Sequence, residues 1–244
     1  MVRFVSSFLC GEIYFKVSAR ESKQAQFERI IAEAATCTRC PTMCERTAVL
    51  SELNGSVRAR IMFIGEAPGR KGADQTRVPF YGDQSGKNFD RFLASIGLGR
   101  QQIFITSAAM CNPRSESGAN RKPSRAELVN CSYFLRQTLE IIDPEVVVTL
   151  GSVALDALKA IESHNLSLKE SAAKIHRWNG RVLVPIYHPS PQVLASHRRE
   201  KEQLQDYRVV ARVLKSLGRL DCLDRALVPP ETRRTSSLSK RASA

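Results

Sequence analysis

Apolar residues along the chain fall either in short continuous runs or in stripes at helical spacing. Phe27, Ile30, Ile31 and Ala34 make such a stripe and predict a helix over 22–35. Ile61, Met62, Phe63 and Ile64 form an unbroken run ending at a glycine, which predicts a buried strand over 60–65. Phe89, Phe92, Leu93 and Ile96 predict a helix over 85–97, with Ser85 as its cap and Gly97 as its stop. A second strand is predicted at 103–106. A long helix follows over 124–142, where Ser124 and Glu127 are spaced as a capping box. Val146, Val147 and Val148 mark a third strand at 145–150. A helix over 152–161, a fourth strand at 182–187 and a last helix over about 201–217 complete the set.

Strands alternating with helices require crossover connections. The predicted fold class is therefore α/β: one domain with a central, mostly parallel four-stranded sheet flanked by helices on both faces. Residues 1–21 carry no pattern and read as an N-terminal arm, 22–218 as the domain, and 219–244 as a basic tail without fixed structure. Ligands of such sheets bind outside the carboxyl ends of the strands. That rule singles out four segments, at 65–69, 107–114, 151–152 and 188–190.

Charge changes the picture more than composition does. The 244 residues include 37 Lys and Arg against 24 Asp and Glu, a formal +13, which points to a polyanion such as nucleic acid as partner. An anionic membrane surface is the second candidate, but no basic amphipathic helix supports it. No run of 18 apolar residues is present to span a bilayer, and the first ten residues lack the features of an export signal. A cytoplasmic, reducing, bacterial-type setting is expected, and in such a setting clustered cysteines tend to bind metal.

Seven cysteines include a C-x2-C pair, Cys37 and Cys40, followed by Cys111 after the second strand and Cys131 in the helix beyond it. Four thiolates can hold a tetrahedral zinc or a four-iron cluster, and the spacing does not choose between them. Cys44 reads as a spare thiol beside the pair, and Cys10 and Cys222 as ordinary free thiols. At the strand ends, Gly65-Glu66-Ala67-Pro68-Gly69 makes a tight turn presenting a carboxylate and backbone N–H groups. Pro79-Phe80-Tyr81-Gly82-Asp83 brings two aromatics and a carboxylate beside a glycine, and His188-Pro189-Ser190 places an imidazole on a rigid turn.

Taken in order, these segments resemble the iron–sulfur uracil-DNA glycosylases, the fourth and fifth families of that superfamily. The resemblance covers about residues 36–210. It rests on the C-x2-C pair, GEAPGR at 65–70, PFYGDQSG at 79–86, Cys111 with its Asn-Pro, Cys131, VVVTLG at 146–151 and HPSPQ at 188–192. It is a mosaic: GEAPG is similar to the fourth family, whereas GADQT at 72–76, the Gly-Asp-x-Ser-Gly run at 82–86 and HPSPQ are similar to the fifth. The resemblance implies a [4Fe-4S] cluster on Cys37, Cys40, Cys111 and Cys131. Its implied reaction is hydrolysis of the N-glycosidic bond of uracil, or another deaminated base, flipped out of DNA to leave an abasic site.

By the same resemblance, Phe80 stacks on the extruded base, and Gly65, Ala67 and Ser107 line its pocket. His188 donates to the departing base. Asp83 or Glu66, with a slight preference for Asp83, stabilises the positive sugar and orients water, which Asn120 helps to place. Ser190 and the 65–69 turn contact phosphates, Gln192 or Leu194 fills the gap left by the flipped base, and Arg198 and Arg199 hold phosphates. Ser107 stands where the fourth family usually has an Asn, and a hydroxyl lacks the paired donor and acceptor of an amide. The expected partner is uracil-containing or abasic DNA, single- or double-stranded, bound by a monomer away from any membrane. The competing expectation is a binding protein on the same fold that holds damaged or abasic DNA with little turnover.

Overall fold

Helix α1 (Lys23–Ala35) opens the part of the chain described by the computed structural model, which covers residues 21–43 and 45–227, with side chains as far as 218. The Ser22 hydroxyl caps α1 by accepting from the Ala25 N–H at 3.1 Å. Five strands follow in the chain: β1 (Ile61–Gly65), β2 (Phe104–Ser107), β3 (Val146–Leu150), β4 (His176–Trp178) and β5 (Arg181–Ile186). They form one sheet in the order β2-β1-β3-β5-β4. The three pairings among β2, β1, β3 and β5 are parallel, and β4 runs antiparallel at the edge.

Each parallel strand is apolar on both faces because both faces are covered. Met62, Ile64, Phe104, Val147 and Leu183 pack beneath α1 and α4 (Arg125–Ile142). Their strand neighbours Phe63, Ile105, Val148 and Val184 point the other way, beneath α3 (Gln84–Ala94) and α8 (Glu200–Leu227). Short helices α2 (Ala73–Thr76), α5 (Ser152–Ala157), α6 (Leu168–Ser171) and α7 (Pro191–Ser196) fill the connections. From β1 the chain passes to β2 on one side and then crosses to β3 on the other. That reversal opens a crevice beyond the carboxyl ends of β1 and β3.

The sheet has five strands where four were expected. The fifth, β4, is three residues long and joins β5 through Asn179-Gly180, both at positive φ, +49° and +71°. That is the two-residue hairpin turn whose twist suits antiparallel strands. A strand reading His-Arg-Trp carries no apolar run, so only the Asn-Gly pair advertised it. The helix cap at α3 also differs: Asp83, in extended backbone, accepts from the Gly86 N–H at 2.9 Å, and Ser85 lies inside the first turn. The Ser124–Glu127 capping box forms as expected. Helix α8 continues ten residues past the predicted end at Leu217, and residues 1–20 and 228–244, with most of the expected arm and tail, lie outside the described residues. Among the described residues no helix is long and apolar enough to cross a membrane.

Candidate active site

The loops beyond β1, β2 and β5 enclose a cleft of about 390 Å³, within the range of sites that bury a small ligand. Phe80 forms one wall, and its backbone is left-handed at φ +52°, a conformation that a bulky side chain adopts only when its surroundings hold it there. Two features hold it. Arg100 donates to the carbonyls of Pro79 at 2.7 Å and Phe80 at 2.5 Å while paired with Asp90 at 2.7 Å. Gly65 leaves room for the ring, since a Cβ there would stand 2.6 Å from its edge. The Phe80 ring lies tilted against Phe89 and His188, with centroids 5.0 and 5.4 Å away.

The two carboxylates of the cleft have different surroundings. Asp83 Oδ1 is committed to the α3 cap, and Oδ2 packs against Gly72, where a Cβ would come within 2.6 Å of it. Glu66 is half-buried in the cleft, and none of the described side-chain hydrogen bonds involves its carboxylate. Burial raises its pKa above the ordinary 4.5, and the Lys122 ammonium opposes that rise. Asn120 is exposed at the rim, where its Oδ1 accepts from the Arg70 N–H and from Asn112 Nδ2, each at 3.0 Å. Asn112, 1% exposed, also donates to the Pro68 carbonyl at 2.6 Å and accepts from Arg114 at 2.7 Å. It thereby joins the turn after β1 to the loop carrying Asn120.

His188 is half-buried, and desolvation pushes its pKa down to about 4, with the nearby Asp83 charge opposing. Its imidazole is therefore neutral at physiological pH. Two buried amides clamp its turn: Gln203 of α8 donates to the His188 carbonyl at 3.2 Å, and Asn88 of α3 to the Pro189 carbonyl at 2.9 Å. Ser190 caps α7 by accepting from the Val193 N–H at 3.4 Å. Gln192 is exposed and lines the cleft, whereas Leu194 packs against the core under α8. Arg198 makes two hydrogen bonds to buried Asp206, at 3.0 and 2.6 Å, so its charge is taken up by the fold. Arg199 is exposed. Ser107 ends β2 half-buried in the cleft, Ala67 lines it, and Gly65 is buried beneath Phe80.

Cys37 and Cys40 follow α1, Cys111 follows β2 and Cys131 is buried on α4. Burial pushes Cys111 up to about 12, and the charges of Cys131, Cys37 and Cys40 push the same way. Cys131 is raised to about 11 by burial, opposed by a backbone hydrogen bond at Met110 and reinforced by Cys40 and Cys37. The four thiols therefore lie within one another's field. Asn130 Nδ2 donates to Cys40 Sγ at 3.6 Å. Among the described residues no three His, Cys, Asp or Glu side chains are gathered as a single metal ion requires.

The profile of the uracil DNA glycosylase superfamily matches residues 54–211. The chain belongs to that superfamily. Its curated relatives include a type-4 uracil-DNA glycosylase of Thermotoga maritima, 31% identical over 170 residues, which are 69% of this chain and 84% of that protein. A type-4 enzyme of Archaeoglobus fulgidus is 34% identical over 177 residues, 70% of this chain and 85% of its own. A type-5 uracil-DNA glycosylase of Pyrobaculum aerophilum is 26% identical over 208 residues, 74% and 89% of the two chains. Relatives of both types accord with the mosaic of motifs.

In this glycosylase-superfamily fold, the cleft gathers Glu66, Ala67, Phe80, Asp83, Ser107, Asn120, His188, Ser190 and Gln192, while Leu194 and Arg198 serve the packing behind it. Arg100, Asn88 and Gln203 were not legible from the sequence. Each acts on a backbone carbonyl distant in the chain, and no local pattern announces such a bond. Asn112 carried one signal, its place directly after Cys111.

Proposed function

We propose that this chain excises uracil from DNA by flipping the nucleotide into the cleft and hydrolysing its N-glycosidic bond. The observation that carries the reading is the convergence of Phe80, neutral His188 and two unlike carboxylates at the carboxyl ends of β1 and β5. The base stacks on the Phe80 ring, an interaction worth about 1–3 kcal/mol in comparable systems. His188, held by its clamped turn, donates to the base as negative charge builds on it, and a preorganised donor of this kind is worth about 10²–10³ in rate. No proton transfer is needed, so an imidazole that stays neutral suits the task.

The sequence preference for Asp83 as the water-orienting group gives way to Glu66. Asp83 is committed to a helix cap and to Gly72, whereas Glu66 has a raised pKa and an uncommitted carboxylate. Glu66 orients the water, the Asn120 amide assists from the rim, and Asp83 supplies negative charge beside His188 and the developing sugar cation. Phosphates are held by the 65–69 turn, Ser190 and Arg199, and Gln192 fills the gap in the stack. Ser107 offers one hydroxyl at the base edge, which favours tolerance of deaminated bases besides uracil.

Cys37, Cys40, Cys111 and Cys131, whose thiols lie within one another's field, would hold the [4Fe-4S] cluster that the resemblance to the iron–sulfur families implies. When bound, the cluster supplies a rigid cross-link between the end of α1, the loop after β2 and α4; hydrolysis takes no electrons from it. The chain works as a monomer on single- or double-stranded DNA in the cytoplasm.

Cleavage of labelled uracil-containing single strands and duplexes after alkali, at fixed salt, tests the reading beside His188→Ala. Cutting by the parent, with a loss of about 10²-fold or more in the variant, is expected. A second reading, a protein that holds damaged or abasic DNA with little turnover, draws on the Ser107 departure. It prevails if stoichiometric protein cuts no uracil strand yet binds abasic DNA above matched controls.

A further inference from the structure

Of the large apolar side chains exposed among the described residues, Tyr81 is flanked by cleft residues, with Phe80 before it and Asp83 two positions after. Single exposed aromatics are common on protein surfaces, so exposure by itself means little. Tyr81 is 53% exposed on a backbone fixed at every neighbouring peptide. The two carbonyls before it are held by Arg100, and its own accepts from the Thr76 hydroxyl at 3.3 Å. Gly82 follows at φ +94°, pressed against Thr76 where a Cβ would meet a methyl at 2.7 Å. The Arg100 guanidinium stands 5.8 Å from the Tyr81 ring centroid. An aromatic with two side-chain torsions on a rigid turn loses little entropy on making a contact.

We propose that Tyr81 is a second stacking platform, which takes the base flanking the flipped nucleotide on the same strand. The proposal rests on the base-flipping reading above and extends it. When one nucleotide leaves the stack for the cleft, its neighbour loses a stacking partner, at a cost of a few kcal/mol. Phe80 receives the extruded base inside the cleft, and the next residue presents an exposed ring on the outer side of the same turn. Tyr81 thereby replaces the stack that flipping removes. A ring face accepts any base, so the contact adds affinity without adding sequence preference.

The test is a double-mutant cycle across the contact, using single strands with uracil beside an ordinary base or beside a baseless spacer placed on either side in turn. Tyr81→Ala and Tyr81→Phe are compared with the parent by kcat/KM and by equilibrium binding. With both flanking bases present, Tyr81→Ala is expected to lose about 5- to 100-fold, and Tyr81→Phe to stay near the parent. With the spacer on one particular side, the parent falls by the same factor and Tyr81→Ala loses nothing more. Equal loss in the presence and absence of either flanking base, or no loss, overturns the proposal. Binding reads the coupling without turnover, so a chain that cuts no uracil strand overturns the glycosylase reading and still decides the Tyr81 contact. An unchanged melting temperature in Tyr81→Ala separates the effect from misfolding.

Discussion

Gly65→Ala perturbs one object, the Phe80 ring. A Cβ at residue 65 would lie 2.6 Å from one ring carbon and 2.9 Å from the next, whereas ordinary contact begins at 3.4 Å. The ring must therefore retreat by about 0.8 Å, the difference between 3.4 and 2.6 Å, or β1 must give by that much. Behind the ring stand Phe89 and His188, 5.0 and 5.4 Å away, so retreat displaces the imidazole or tips the ring out of the cleft. Residue 65 does not have positive φ, so the alanine backbone is not strained. A displacement near 1 Å at a reacting geometry costs about 10²-fold in rate, and overpacking of this kind costs about 1–3 kcal/mol in stability. Single-turnover excision from a uracil strand, with thermal melting beside it, measures both. The same substitution in a Phe80→Ala background should cost less than about threefold, because the clashing atoms are gone. If Gly65→Ala cuts within threefold of the parent, or loses as much in the Phe80→Ala background, the ring does not occupy the place assigned to it.

Other consequences can be measured independently. Glu66, raised above 4.5 by burial, must be ionised to orient water, so kcat/KM should fall on acidification with a midpoint above 4.5, and Glu66→Gln should abolish that limb. His188 stays neutral down to about 4, so no limb near 6.5 is expected; one that vanished in His188→Gln would count against this assignment. Glu127 is held at about 2 by its hydrogen bonds with Arg121, and it also accepts from Thr42 and the Ser124 N–H. Its contribution is full above pH 4.5 and is lost as pH falls from there towards 2, so urea midpoints of the parent and Glu127→Gln should converge over that window. At neutral pH Glu127→Ala should cost about 3 kcal/mol by urea unfolding, low for a broken buried pair because Arg121 reaches water. Removal of iron by chelation, or Cys131→Ser, should lower the melting temperature and bleach visible absorption together; bleaching without a change in melting would deny the cluster a structural role.

The helices and buried strands were legible because hydrophobic period is a local signal, complete within a turn or two of chain. Runs such as 61–64 and 146–148 predict strands buried on both faces, and the Ser124–Glu127 pair marks its helix start within one residue. The strand-end motifs were legible for a related reason, since parallel α/β sheets always put their ligands at the carboxyl ends. Tertiary structure alone decided which side chains in those motifs face the cleft. Arg198 and Leu194 stand in the expected DNA-facing segment, but Asp206 and the core under α8 claim them, through contacts set by how α8 lies on the sheet. Asp83 and Glu66 are equivalent carboxylates in sequence, and only the α3 cap and the depth of burial make them unlike. Arg100 reaches Phe80 across twenty residues, and Asn88 reaches Pro189 across 101. Such bonds depend on register and crossover, which arise only when distant segments share one sheet.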